Sequence, residues 1–205
     1  MFLRRLAVFF SAAFLVAAGA AQAQSQAPDA LIKQVSTEVL EAIKADKSIQ
    51  SGDVNKIMAL VDSKVMPHLN FQRMTASAVG RYWRQATPDQ QKRLQDEFKT
   101  LLVRTYSGAL REVRNQTIQV KPMRGSAEDA EVVVKSEVRG SGDPIQLDYR
   151  LEKSPNGWKV YDINVAGVWL VQNYQNSFAQ EIGANGIDGL IAKMAERNKA
   201  AGARS

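Results

Sequence analysis

Cysteine is absent from this 205-residue chain, and histidine occurs once, as His68. Without thiols there is no disulfide framework, no Cys/His zinc site and no thiolate nucleophile. One histidine cannot build a His-rich metal cluster, and a Ser-His-Asp triad would have to use His68, wedged between Pro67 and Leu69. With no cysteine to carry it, a lipid anchor is not expected either. Phosphate-cradling signatures are also missing: the sequence has no Walker loop, no dinucleotide fingerprint and no nucleophile elbow. Gly140-Ser141-Gly142 reads as a hairpin turn.

Long apolar runs are confined to the start. Met1-Phe2-Leu3-Arg4-Arg5 is a short basic segment, Leu6 to Ala18 is apolar except for Ser11, and Ala21-Gln22-Ala23 is a small-x-small cleavage site. This is the layout of a secretory signal peptide, too short and wrongly flanked for a membrane span. Cleavage after Ala23 leaves 182 residues beginning with Gln24. Removing Arg4 and Arg5 from the 27 Lys+Arg leaves 25 against 21 Asp+Glu, a mildly basic balance. Such a balance fits weak attraction to anionic membranes or acidic partner faces, or simply a surface kept soluble, rather than nucleic acid. The expected organisation is a signal peptide over 1–23, one domain over 24–198 and a polar tail over 199–205.

Within the domain, helical periodicity comes first. Pro28-Asp29 opens a helix with Ile32, Val35, Val39, Ala42 and Ile43 on one stripe; Ser51-Gly52-Asp53 opens a second that stops near Pro67. A short helix over Phe71 to Val79 ends at Gly80. Thr87-Pro88-Asp89-Gln90 carries a capping box, and Leu94, Phe98, Leu101, Leu102, Tyr106 and Leu110 trace the apolar face of a long helix behind it. After Asn115 the period changes to two. Ile118/Val120, Val132/Val134/Val138, Ile145/Leu147/Tyr149/Leu151 and Trp158 to Val165 read as four antiparallel strands with one buried face. Trp158/Val160 and Ile163/Val165 cannot share that face without a bulge near Tyr161-Asp162. Leu170, Tyr174, Phe178 and Ile182 recur by four in a helix beyond Gly167, and Ile187, Leu190, Ile191 and Met194 mark a final one. The fold class is α+β: a single domain with a four-stranded antiparallel sheet packed on helices, and a helical N-terminal sub-lobe.

Carboxylates offer little chemistry. Asp148 and Glu152 fall on the polar side of their strand, and Glu128-Asp129 on a turn, away from the apolar surroundings that tune a catalytic acid. Asp162, at the expected bulge, either satisfies backbone or an arginine there or, in an enzyme, serves as general base. What stands out is apolar surface: two amphipathic helices and one sheet face compete for a single interior. Periodicity alone does not say whether that interior is filled or hollow.

Several fragments carry a resemblance. They are Asn70-Phe71-Gln72-Arg73-Met74 with Gly80-Arg81-Tyr82-Trp83-Arg84, Glu97-Phe98-Lys99 running on to Tyr106, and Gly157-Trp158-Lys159-Val160-Tyr161-Asp162-Ile163. Gly167-Val168, Leu170-Val171, Asn173-Tyr174 and Gly186-Ile187-Asp188-Gly189-Leu190-Ile191 follow in the same order. Together they resemble the MlaC, or toluene-tolerance, family over roughly residues 28 to 198. In two places the chain departs from the family pattern, with Trp169 for a serine and Gln175 for an arginine; a Trp169 at a pocket rim would narrow or extend its mouth.

The resemblance implies a cystatin-like or nuclear-transport-factor-like fold around an apolar cavity. It implies a periplasmic phospholipid carrier, not an enzyme, that needs no cofactor or metal. Its partners would be an inner-membrane ABC-transporter complex and an outer-membrane lipoprotein–porin complex, and the carrier is expected to be a monomer. Physical chemistry says why a container is needed. Each exposed methylene costs about 0.8 kcal/mol, so two acyl chains carry roughly 20 kcal/mol of unfavourable hydration. On this reading the sheet contributes Val132, Val134, Leu147, Tyr149, Leu151, Val160 and Val165 as one wall. Phe98, Leu102, Tyr106 and Leu110 face it, and Val168, Leu170 and Tyr174 close the side.

Overall fold

The computed structural model describes residues 26–123 and 129–202; the expected signal peptide and the Arg124-Gly125-Ser126 turn lie outside them. The capping box forms as the sequence predicts. Gln90 N–H donates to the Thr87 hydroxyl at 3.2 Å and Thr87 N–H donates to the Gln90 side chain at 3.0 Å. With Pro88 at the first turn, this starts α5, Pro88–Leu110. Before it come α1 (Pro28–Ala45), α2 (Lys47–Ser51), α3 (Val54–Leu60) and α4 (Phe71–Val79). Asn70 caps α4 by accepting from Arg73 N–H at 2.9 Å, and Gly80 ends it with φ +66°.

The strands β1 (Thr117–Val120), β2 (Glu131–Arg139), β3 (Ile145–Ser154), β4 (Gly157–Val165) and β5 (Val168–Trp169) form one antiparallel meander in sequence order. The sheet therefore has five strands rather than four. The fifth is a two-residue return made by a tight turn at Ala166 (φ +50°) and Gly167 (φ +90°), too short to leave a period in the sequence. A last helix, α6 (Leu170–Gly202), breaks at Gly186, whose φ of +72° and ψ of −179° suit glycine alone. It runs to Gly202, so residues 199–202 of the expected tail are helical.

The expected bulge is present. Leu151 pairs with Val160 and Arg150 with Asp162, leaving Tyr161 surplus. Beyond it Tyr149 pairs with Ile163 and Leu147 with Val165, so both halves of β4 turn their aliphatic residues to one face. Asp148 corrects an expectation. It lies opposite Asn164 on the polar face, but it is buried rather than wet, with Gln146 Nε2 donating to it at 2.8 Å.

Packing separates into three clusters. Phe71, Met74, Leu94, Phe98, Tyr174, Phe178 and Leu190 are among the side chains that join α4, α5 and α6. Leu31 and Ile32 of α1 pack on Val132, Val134, Leu151, Trp158 and Val160 of the sheet. Ile43, Ile49, Ile57, Leu60, Val103 and Val113 give the helical N-terminal lobe a small core of its own, although α1 also reaches across to the sheet.

Candidate functional site

The apolar face of the sheet is defined by its register. Val132–Leu151–Val160 form one row across β2, β3 and β4, Val134–Tyr149–Ile163 the next, and Ser136–Leu147–Val165 the third. None of these residues is charged. Along this face burial changes. Val132, Val134, Leu151 and Val160 are buried in the cluster that Leu31 and Ile32 of α1 join, whereas Leu147, Tyr149, Ile163 and Val165 are only half-buried.

The helices reproduce that gradient. Phe98 is fully buried, with ring centroids 5.1 Å from Tyr174, 5.3 Å from Phe178 and 5.9 Å from Phe71. One turn on, Leu102 is half-buried at the edge of this cluster; further along, Tyr106 and Leu110 are half-buried too, with Leu110 leaning on the N-terminal lobe. Tyr106, Leu147 and Val165 join none of the three packed clusters among the described residues. The helices α4 and α6 lie on β4, and α1 lies on β1 and β2, while α5 packs mainly on α3, α4 and α6.

Tyr149 shows the character of this space. Burial pushes its phenol pKa up, with the Ser36 and Ser136 hydroxyls acting the other way, although the side chain keeps accessible surface. The ring packs at the margin of the cluster that joins α1 to the sheet. Burial raises Tyr106 likewise, with Tyr174 a second cause.

The remaining expected residues fall at the side. Leu170 and Tyr174 are buried at the start of α6, and Val168 is 49% exposed on the edge strand. Trp169 pairs with Asn164, and its ring lies 3.9 Å from the Arg150 guanidinium on the polar face of the sheet. It therefore does not rim the apolar face, where a mouth would be narrowed. Ile163, absent from the expected set, shares the apolar face with Val160 and Val165, as the inferred bulge requires. Val35 and Ser36 of α1 were also left out, because a stripe does not name what it packs on.

Asp162 sits on the opposite face from Ile163. Its Oδ1 accepts from Ile163 N–H at 2.9 Å and Val171 N–H at 3.1 Å, and Arg150 Nη1 donates to Oδ2 at 3.1 Å. Burial raises its pKa while the two backbone donors and Arg150 pull it down. Both oxygens are thus committed to the bulge and to the first turn of α6, and the apolar face is not within the carboxylate's reach. Among the described residues no cluster of three His, Asp or Glu could hold a metal ion, and no helix is long and apolar enough to cross a membrane.

Known proteins share this architecture. A solved phospholipid-binding protein from Ralstonia solanacearum, in complex with a phospholipid, superposes with a TM-score of 0.82 at 50% identity, covering 85% of this chain and 98% of that one. The toluene tolerance protein ttg2D of Pseudomonas putida is 29% identical over 184 residues, covering 86% of each chain. The intermembrane phospholipid transport system binding protein MlaC of Haemophilus influenzae is 26% identical over 190 residues, covering 91% of this chain and 88% of its own. The family model described as MlaC protein matches residues 33–196, and with that match this chain belongs to the MlaC family.

Proposed function

We propose that this protein binds a phospholipid by its acyl chains between the sheet and α5 and carries it across the periplasm. It is a binding and transport protein rather than an enzyme, as its family is. The observation that supports the reading is the half-burial of the apolar side chains Leu102, Tyr106, Leu147, Tyr149 and Val165, of which Tyr106, Leu147 and Val165 join none of the packed clusters among the described residues. In a solid domain such residues would interdigitate to crystal-like density. Hydrocarbon tails supply the missing contacts and escape water together.

In this reading the mature chain, freed of residues 1–23, exchanges lipid with an outer-membrane lipoprotein–porin complex and an inner-membrane ABC-transporter complex. That exchange maintains outer-membrane lipid asymmetry. A carrier must release what it holds, so its affinity cannot far exceed that of a bilayer unless partners shift the balance. Wall residues of the expected set that lie deep in packed clusters, above all Phe98, brace the container, and Leu102, Tyr106, Leu147, Tyr149 and Val165 touch the tails.

Native mass spectrometry of protein purified from a Gram-negative host tests this directly. One phospholipid per chain is expected. Protein that is folded but consistently free of lipid, even after incubation with phospholipid vesicles, would defeat the proposal.

A further inference from the structure

Three hydroxyls meet on the otherwise hydrocarbon wall. Ser136 and Tyr149 are diagonal neighbours across β2 and β3, because Ser136 pairs with Leu147 and Val134 with Tyr149. Ser36 lies one turn beyond Ile32 on α1, the helix that covers this part of the sheet. Ser136 is fully buried and its hydroxyl is committed, donating to the Leu147 carbonyl at 2.8 Å. Tyr149 and Ser36 keep accessible surface. The Tyr149 hydroxyl has the Ser36 and Ser136 hydroxyls as neighbours, and a purely apolar ligand would give this polar spot no further partner.

We propose that the Tyr149 hydroxyl, flanked by Ser36 and Ser136, donates a hydrogen bond to an ester carbonyl of the bound phospholipid and so fixes how deep the lipid sits. This deepens the lipid-binding reading and rests on it. The choice of atom follows from ligand chemistry. An acyl chain has no acceptor, and a phosphate calls for cationic partners that this face lacks. The ester carbonyls, where tails join glycerol, are the neutral acceptors nearest the hydrocarbon. A neutral phenol matches a neutral carbonyl, and burial keeps the phenol protonated. The trio thus reads the linkage rather than the headgroup.

Diether lipids, which keep tails and headgroup but lose both carbonyls, isolate the effect. Full-length mature protein is incubated with vesicles containing equal amounts of dioleoyl phosphatidylglycerol and its dioleyl diether analogue, and the captured lipid is counted by mass spectrometry. The wild type is expected to favour the diester by roughly fivefold, the size of one neutral hydrogen bond. Tyr149→Phe should lose that preference, so that the ratio of captured diester to diether falls to about one whatever the total lipid captured. Equal capture of both lipids by the wild type, or a diester-to-diether ratio unchanged in Tyr149→Phe, would overturn the assignment. Should the Phe variant not fold, Ser36→Ala reads the same ratio, and an unchanged ratio would then overturn it. If the wild type captures neither lipid, the carrier reading itself fails, and this assignment with it.

Discussion

Phe98 and Tyr149 are both aromatic and both lie inside the molecule, and their surroundings differ. Phe98 is ringed by Phe71, Tyr174 and Phe178 with no exposed surface; Tyr149, on the sheet, packs at the margin of a cluster and stays half-buried. The first region is built from helices whose spacing is set by mutual contact of α4, α5 and α6. The second lies on the apolar face of the sheet, at the margin of the cluster that α1 joins. Similar residue types thus give a closed brace in one place and, in the proposed function, a container wall in the other. What decides between them is whether a neighbouring element is close enough to interdigitate.

Four substitutions or conditions test that contrast. Phe98→Ala should be the most damaging, lowering stability by about 3–5 kcal/mol in chemical denaturation, because a rigid cluster cannot collapse around the void. An effect below about 1 kcal/mol would mean that this region is as open as the sheet face. Asp162→Asn should cost about 1–3 kcal/mol by weakening buried hydrogen bonds at the bulge. It should leave lipid content unchanged, and lost binding with intact stability would return Asp162 to the site. Val165→Trp should cost less than about 1 kcal/mol, where overpacking a filled core costs about 1–3. Lipid per chain, measured after solvent extraction, should fall severalfold.

The smallest effect is acid-dependent. Arg73 donates to Glu131 at 2.7 Å and also to Glu152, and its guanidinium lies 3.6 Å from the Tyr161 ring centre, joining α4 to the sheet. Arg73 first, and then the Tyr161 hydroxyl, hold the Glu131 carboxyl below its ordinary value. A depressed carboxylate stabilises the fold fully above the unfolded-state pKa, and the contribution is lost as pH falls through the folded value. Because the pair is largely exposed, this amounts to about a few tenths of a kcal/mol. Titrating stability in wild type and Arg73→Gln should show the difference narrowing in acid.

Much of the fold was legible in the sequence. The capping box at Thr87, the end of α4 at Gly80 and the phase break at Tyr161-Asp162 are local signals, each fixed by backbone hydrogen bonding or strand alternation. The five-residue α2 and the two-residue β5 lie below the length at which a period registers. Asp148 was misplaced because alternation names a face and not its cover. The division between brace and wall was not legible at all. Leu102 and Phe98 differ by one helical turn, and only the distance to a facing element separates their roles.

The bulge also makes the chain sensitive to number rather than kind. Were β4 to pair residue for residue past Val160, Asp162 and Asn164 would stand where Ile163 and Val165 now stand, and an oily lining would become an acidic one with no side chain altered. Tyr161, the residue that absorbs this offset, lies beside Arg73 and donates to Glu131 at 2.9 Å. Insertions or deletions of a single residue between Val160 and Ile163 should therefore be far more consequential than exchanges among Val, Ile and Leu along the same strand.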